Sequence, residues 1–122
     1  MIQQMSFLGL VVKDVAAATT YYRDTLGLQV NQQASIPDFY TQFETNGGAV
    51  FAVLGGFEKE GIDQPFDTAL VVADTDEAYN TWRAAGVEMV SEPTDMPFGR
   101  TFLFRTPDGH ILRAMTPAAA AN

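Results

Sequence analysis

The stretch "DTALVVADTDEAYNTWRAAGVEMV", residues 67–90, decides the fold, because the chain says it twice. Residues 8–30, "LGLVVKDVAAATTYYRDTLGLQV", carry the same features in the same order. Leu10, Val11, Val12, Asp14, Ala18 and Tyr22 meet Leu70, Val71, Val72, Asp74, Ala78 and Trp82 at a constant offset of 60 residues, and Gly27 meets Gly86. The repeat extends further, since "ETNGGAVFAVL" (44–54) lies over "RTPDGHILRAM" (105–115) at an offset of 61. The period is about half of the 122 residues.

Each copy opens with an apolar run ending at an aspartate suited to cap a helix, Asp14 or Asp74, and in the second copy Glu77 stands three residues on, in capping-box spacing. Apolar positions then recur at helical spacing until Gly27 or Gly86, where a C-cap glycine belongs. The spacing predicts helices near 15–26 and 75–85. Strand-like pieces follow near 28–33, 39–45 and 48–54, and near 87–91, 100–105 and 110–115. The predicted fold is therefore α+β, with one domain over 1–122 built from two tandem βαβββ modules, about 5–54 and about 67–117. The polar, glycine-rich 55–66 reads as their linker, and the small-residue end "TPAAAAN" as a loosely held tail.

Composition closes several doors. A content of 47% hydrophobic residues suffices for one core. The sequence has no cysteine, so disulfides, thiolate zinc sites and cysteine nucleophiles are excluded. A formal net charge of -8 without any basic cluster argues against nucleic acid. No long apolar run or basic-then-apolar leader is present, which predicts a cytoplasmic protein without a membrane partner. Phosphate loops and serine elbows are absent as well.

The duplicated module, the "LGLVVKDVAAATTYYRDTLGL" opening and the "MPFGRTFLFRTPDGHIL" closing resemble the vicinal oxygen chelate superfamily, which includes glyoxalases, extradiol dioxygenases and bleomycin-resistance proteins. The resemblance covers nearly the whole chain. It implies a curled eight-stranded mixed sheet forming a cup, with the helices on its outer face and a divalent ion held inside in the metal-dependent members. The family's four ligand positions fall on Phe7, Ala52, Asp67 and Arg113. Only Asp67 can donate an oxygen, and an arginine stays protonated, so the resemblance narrows to the metal-free, bleomycin-resistance-like branch with no metal and no cofactor.

Side-chain alternation then maps the cup. Placing Phe7, Ala52, Asp67 and Arg113 inward brings Gly9, Val11, Val50, Leu54, Ala69, Val71, Ile111 and Met115 with them. An even-numbered loop at "RTPDGH" would add Phe102 and Phe104 to Arg113's face and, through the repeat, Thr41 and Phe43 to Ala52's. Gly9, Ala52 and Ala69 would leave room on the floor, and Phe98 in "DMPFG" would lie at the mouth. Asp67 and Arg113 either pair with each other or orient a ligand. His110, the only histidine, reads as a structural residue beside a turn, facing away from Arg113.

Two functions follow. The first is a metal-independent protein that sequesters or carries a small, partly aromatic ligand, bound by Phe7, Phe43, Ala52, Asp67, Phe98, Phe102, Phe104 and Arg113, with no catalytic residue. The alternative is a glyoxalase- or dioxygenase-like enzyme, metal-dependent or using Asp67 as acid or base. Exposed sheet edges and the module's apolar face also predict a homodimer.

Overall fold

Asp14 and Asp74 start their helices as the sequence predicts. Each is extended and accepts a hydrogen bond from the backbone three residues on, Asp14 Oδ1 from Ala17 N at 2.9 Å and Asp74 Oδ1 from Glu77 N at 3.1 Å. The computed structural model describes residues 2–55 and 64–118. Most of the expected linker, 56–63, and the end of the tail, 119–122, lie outside the described residues.

Two compact units are present, Phe7–Asp67 and the residues from Thr68 onward together with the first residues of the chain. In the Phe7–Asp67 unit, strand β1 (Ile2–Val11) continues from Phe7 into helix α1 (Val15–Thr20), followed by β2 (Val30–Ile36), β3 (Tyr40–Phe43) and β4 (Val50–Leu54). β1 pairs with β4 in parallel, and β3 pairs antiparallel with both β4 and β2. The expected helix to residue 26 changes character halfway, because Tyr21–Thr25 forms a π-turn. The Thr19 and Thr20 hydroxyls donate back to the Val15 and Ala16 carbonyls at 2.7 and 3.1 Å, a bonding mode that bends helices. Gly27, at φ 80°, then ends the element as expected.

The other unit repeats this plan. β5 (Phe66–Val72) leads from Thr68 into α2 (Thr75–Ala84), which stops before Gly86 at φ 96°. β6 (Glu88–Met89), β7 (Thr94–Met96), β8 (Gly99–Arg105) and β9 (Ile111–Pro117) follow. β9 is parallel to β5 and antiparallel to β8, and β8 also carries β6 and β7. β7 is an addition to the expected plan, since "DMPFG" turns only after Met96. The described residues adopt the α+β class with mixed strand pairing in each half, βαβββ in the Phe7–Asp67 unit and the same plan with β7 added in the other.

Each unit packs its helix over its own aromatic core. Val15, Phe43 and Val53 form one core with Leu10, Tyr22 and Phe51 against it. Val72, Ala78, Phe102, Phe104 and Ala114 form the other, with Tyr79 and Trp82. Tyr22 and Trp82 are thus packing residues, as their helical spacing predicts.

Candidate functional site

Strand register decides which side chains are available to a ligand, because residues paired across neighbouring strands share a face. Leu103 pairs with Arg113 and Thr101 with Met115, whereas Phe102 pairs with Ala114 and Phe104 with Leu112. The loop between the paired Arg105 and Ile111 holds residues 106–110, an odd number. The expectation that Phe102 and Phe104 share Arg113's face is therefore corrected. Both point to the helix, where Trp82 meets Phe104 edge-on at 5.2 Å and Tyr79 meets Phe102 at 5.3 Å. The repeat carries the same correction to Thr41 and Phe43. Gln42, not Phe43, pairs with Ala52, and Phe43 is 1% exposed in the helix-side core.

Arg113 itself lies where alternation places it, opposite the helix, beside Ala69 on the parallel neighbour. Its residue is 7% exposed, its Nη1 donates to Thr101 Oγ1 at 3.2 Å, and its guanidinium lies 5.7 Å from the centre of the Phe98 ring. Phe98 is 47% exposed, so one ring face meets the cation while much of the side chain meets solvent. On the same side, the Ser6 hydroxyl contacts the Ala69 carbonyl at 3.4 Å and the Met115 sulfur at 3.3 Å.

In the Phe7–Asp67 unit, the face away from the helix carries Phe7, Gly9, Val50, Ala52 and Leu54, as expected, and adds Tyr40 and Gln42. Phe7 and Tyr40 stack, with ring centroids 6.4 Å apart and planes 13° from parallel. The floor is less open than the small residues suggest. A side chain at Gly9 would come within 2.5 Å of Leu54 Cδ2 and 2.8 Å of Phe7 Cε2, so these two groups occupy the space Gly9 leaves. The Tyr40 hydroxyl donates to Gln42 Oε1 at 2.9 Å. Burial pushes the Tyr40 phenol above its ordinary value, and the charge of nearby Asp67 adds to the shift. Neither Tyr40 nor Gln42 was among the residues singled out from sequence; counting the residues between paired strands would have found them.

Of the eight candidates, Phe98 and Arg113 come together in one unit, and Phe7, Ala52 and Asp67 belong to the other. Phe43, Phe102 and Phe104 are core. Two clefts within the units, of about 450 and 350 Å³, are lined by none of the eight. The larger surrounds Arg100, whose Nε and Nη1 lie 2.9 and 3.0 Å from Asp76 and Asp95. Its guanidinium holds the Asp76 carboxyl below the usual range. His110 is an exposed turn residue: its backbone N–H donates to Thr106 Oγ1 at 3.0 Å, and its Nδ1 lies 3.3 Å from Asp108.

A divalent ion does not fit the residues at the four ligand positions. A phenyl, a methyl and a guanidinium offer no lone pair to a cation, and one carboxylate falls short of the usual three protein ligands. Among the described residues no three His, Cys, Asp or Glu side chains form a group able to hold a metal. No described helix is long and apolar enough to cross a membrane.

Known proteins agree with this architecture. The chain is 29% identical over 110 residues to the phenazine antibiotic resistance protein EhpR of Enterobacter agglomerans, covering 84% of this chain and 83% of that protein. Among solved structures it is similar to methylmalonyl-CoA epimerase from Mycobacterium tuberculosis, with 21% identity, a TM-score of 0.72, and 98% and 93% of the two chains covered. It is also similar to a glyoxalase/bleomycin resistance protein/dioxygenase superfamily member from Vibrio splendidus 12B01, with 18% identity, a TM-score of 0.69, and 95% and 99% covered. These two likenesses speak to fold alone. The family profile matches residues 4–113, and the chain therefore belongs to the Glyoxalase/Bleomycin resistance protein/Dioxygenase superfamily.

Proposed function

We propose that the protein binds a planar aromatic small molecule of the phenazine class without a metal ion, and confers tolerance by sequestering or carrying it. The observation that carries this reading is the pairing of a nearly buried Arg113 guanidinium with the half-exposed Phe98 ring on the face away from the helix. A flat ligand gains from stacking on an aromatic ring already held in place, and a guanidinium fork donates to a carboxylate or carbonyl at the ligand's edge. The relative EhpR is a phenazine antibiotic resistance protein, which supports this ligand class. Phe43, Phe102 and Phe104 leave the proposed set because helix packing consumes them.

Thermal unfolding with phenazine-1-carboxylate tests the reading. Wild type should melt higher with the ligand, with or without a chelator, and Arg113→Ala should bind more weakly by about 1.5–3 kcal/mol, the worth of a hydrogen bond to a charged group. If Arg113 serves structure alone, Arg113→Ala lowers the melting temperature and no planar acid shifts wild type.

A further inference from the structure

We infer that the cleft of about 350 Å³ between α1 and the β2–β3 hairpin binds a single aromatic ring bearing a hydrogen-bond donor, a phenol or an aryl amine. This site lies wholly within the Phe7–Asp67 unit and includes neither Arg113 nor Phe98, so the inference does not rest on the phenazine reading. It comes from a difference between the two halves of the repeat.

In the second half, an aromatic pair fills the angle between helix and sheet. Tyr79 of α2 meets Phe102 of β8 edge-on at 5.3 Å, and the Arg83 guanidinium lies 6.0 Å from the centre of the Tyr79 ring. The same positions in the first half are Thr19, Thr41 and Arg23, at the offsets of 60, 61 and 60 residues that define the repeat. The strand ladders agree, because Thr41 pairs with Val53 where Phe102 pairs with Ala114. Two rings are thus replaced by two threonines, and the cleft opens where the rings would have stood. Val30, Ile36 and Pro37 give it apolar walls, and Arg23, whose Nε is held by Asp24 at 2.7 Å, stands at its side. Arg23 belongs to the π-turn Tyr21–Thr25, and single turns of that kind recur at functional sites.

The hydrogens on the two threonines fix what a ligand must bring. Thr19 spends its one hydroxyl hydrogen on the Val15 carbonyl at 2.7 Å, so the hydrogen between Thr19 Oγ1 and Thr41 Oγ1, also 2.7 Å apart, comes from Thr41. Both oxygens then offer lone pairs and no hydrogen. Thr41 is only 7% exposed, so its remaining lone pairs are largely withheld from bulk water and favour a ligand O–H or N–H. A ring seated as Tyr79 is seated in the other half would also have the Arg23 cation near its face, as Tyr79 has Arg83.

Titration of isotope-labelled protein with p-cresol, followed by NMR, tests the inference. The amide resonances of Thr19, Arg23 and Thr41 should shift saturably. The probe p-methylanisole, whose oxygen carries a methyl group in place of the hydrogen, should bind about fivefold more weakly, the worth of one neutral hydrogen bond. In Thr19→Val/Thr41→Val, which keeps the shape and removes both oxygens, the two probes should bind alike. In Thr19→Tyr/Thr41→Phe, which copies the second half and fills the cleft, p-cresol should no longer bind there. Melting curves check that both variants fold. If p-cresol leaves those resonances of wild type unmoved, or both probes bind wild type equally, the inference is overturned. It is overturned too if the preference survives in the valine variant or p-cresol still binds the filled one. The Arg113–Phe98 reading stands in each of these cases.

Discussion

Tyr40 shows how much a single side chain carries. Its ring stacks on Phe7, its hydroxyl orients Gln42, and burial beside the Asp67 charge raises its pKa above the ordinary 10.0. The sign of the linkage follows directly. A folded-state pKa above the unfolded one contributes stability that is fully present below pH 10 and is lost as the pH rises from there through the folded value. Wild type should therefore lose melting temperature above pH 10 more steeply than Tyr40→Phe, which has no phenol to ionise. Equal alkaline profiles would show that Tyr40 titrates as it does in the unfolded chain. Arg113 and Asp67 stand out as candidates at this scale, because their chemistry is unusual at positions where a repeat and a family pattern both point. Tyr40 and Gln42 did not stand out, because a strand residue joins the face away from the helix only through its register.

The helices were readable element by element, from Asp14 and Asp74 at their starts to Gly27 and Gly86 at their ends, since capping and positive φ leave local marks. The π-turn at Tyr21–Thr25 and the short β7 were not, because neither follows from a residue pattern of period 2 or 3.6. The larger error concerned the aromatic strands. "TFLFR" and "YTQF" alternate, and alternation says that Phe102, Phe104 and Phe43 share a face with their own kind without saying which face it is. The odd loop 106–110 settles it for β8, in favour of the helix side. Phe102, fully buried among Tyr79, Trp82 and Phe104, should therefore behave as a core residue. Phe102→Ala should cost about 3–5 kcal/mol of stability in denaturant unfolding while leaving the affinity of the remaining folded protein for a planar acid unchanged. A stable variant that binds weakly would return Phe102 to the ligand face.

At the scale of the whole molecule, the fold class was legible because two copies of one pattern, 60 residues apart, constrain each other. The same pattern leads us to expect a homodimer, as each half presents the apolar face and edges of a small sheet, and Ile36 and Phe39 are 59% and 47% exposed. Sedimentation at high micromolar concentration should give twice the 13.3 kDa chain mass, and a single-chain mass would contradict that expectation. What family membership cannot supply is the chemistry, since one fold hosts enzymes and binding proteins alike; that rests on three ligand positions without a donor and on the Arg113–Phe98 pair. Calorimetric titration of phenazine-1-carboxylate into protein dialysed against a chelator tests the two together. The account predicts saturable binding at one site per chain, unchanged by added Zn, Ni or Mn and weakened at least tenfold by Arg113→Ala. Absence of heat in the dialysed protein, or binding that returns only with a divalent ion, would contradict it.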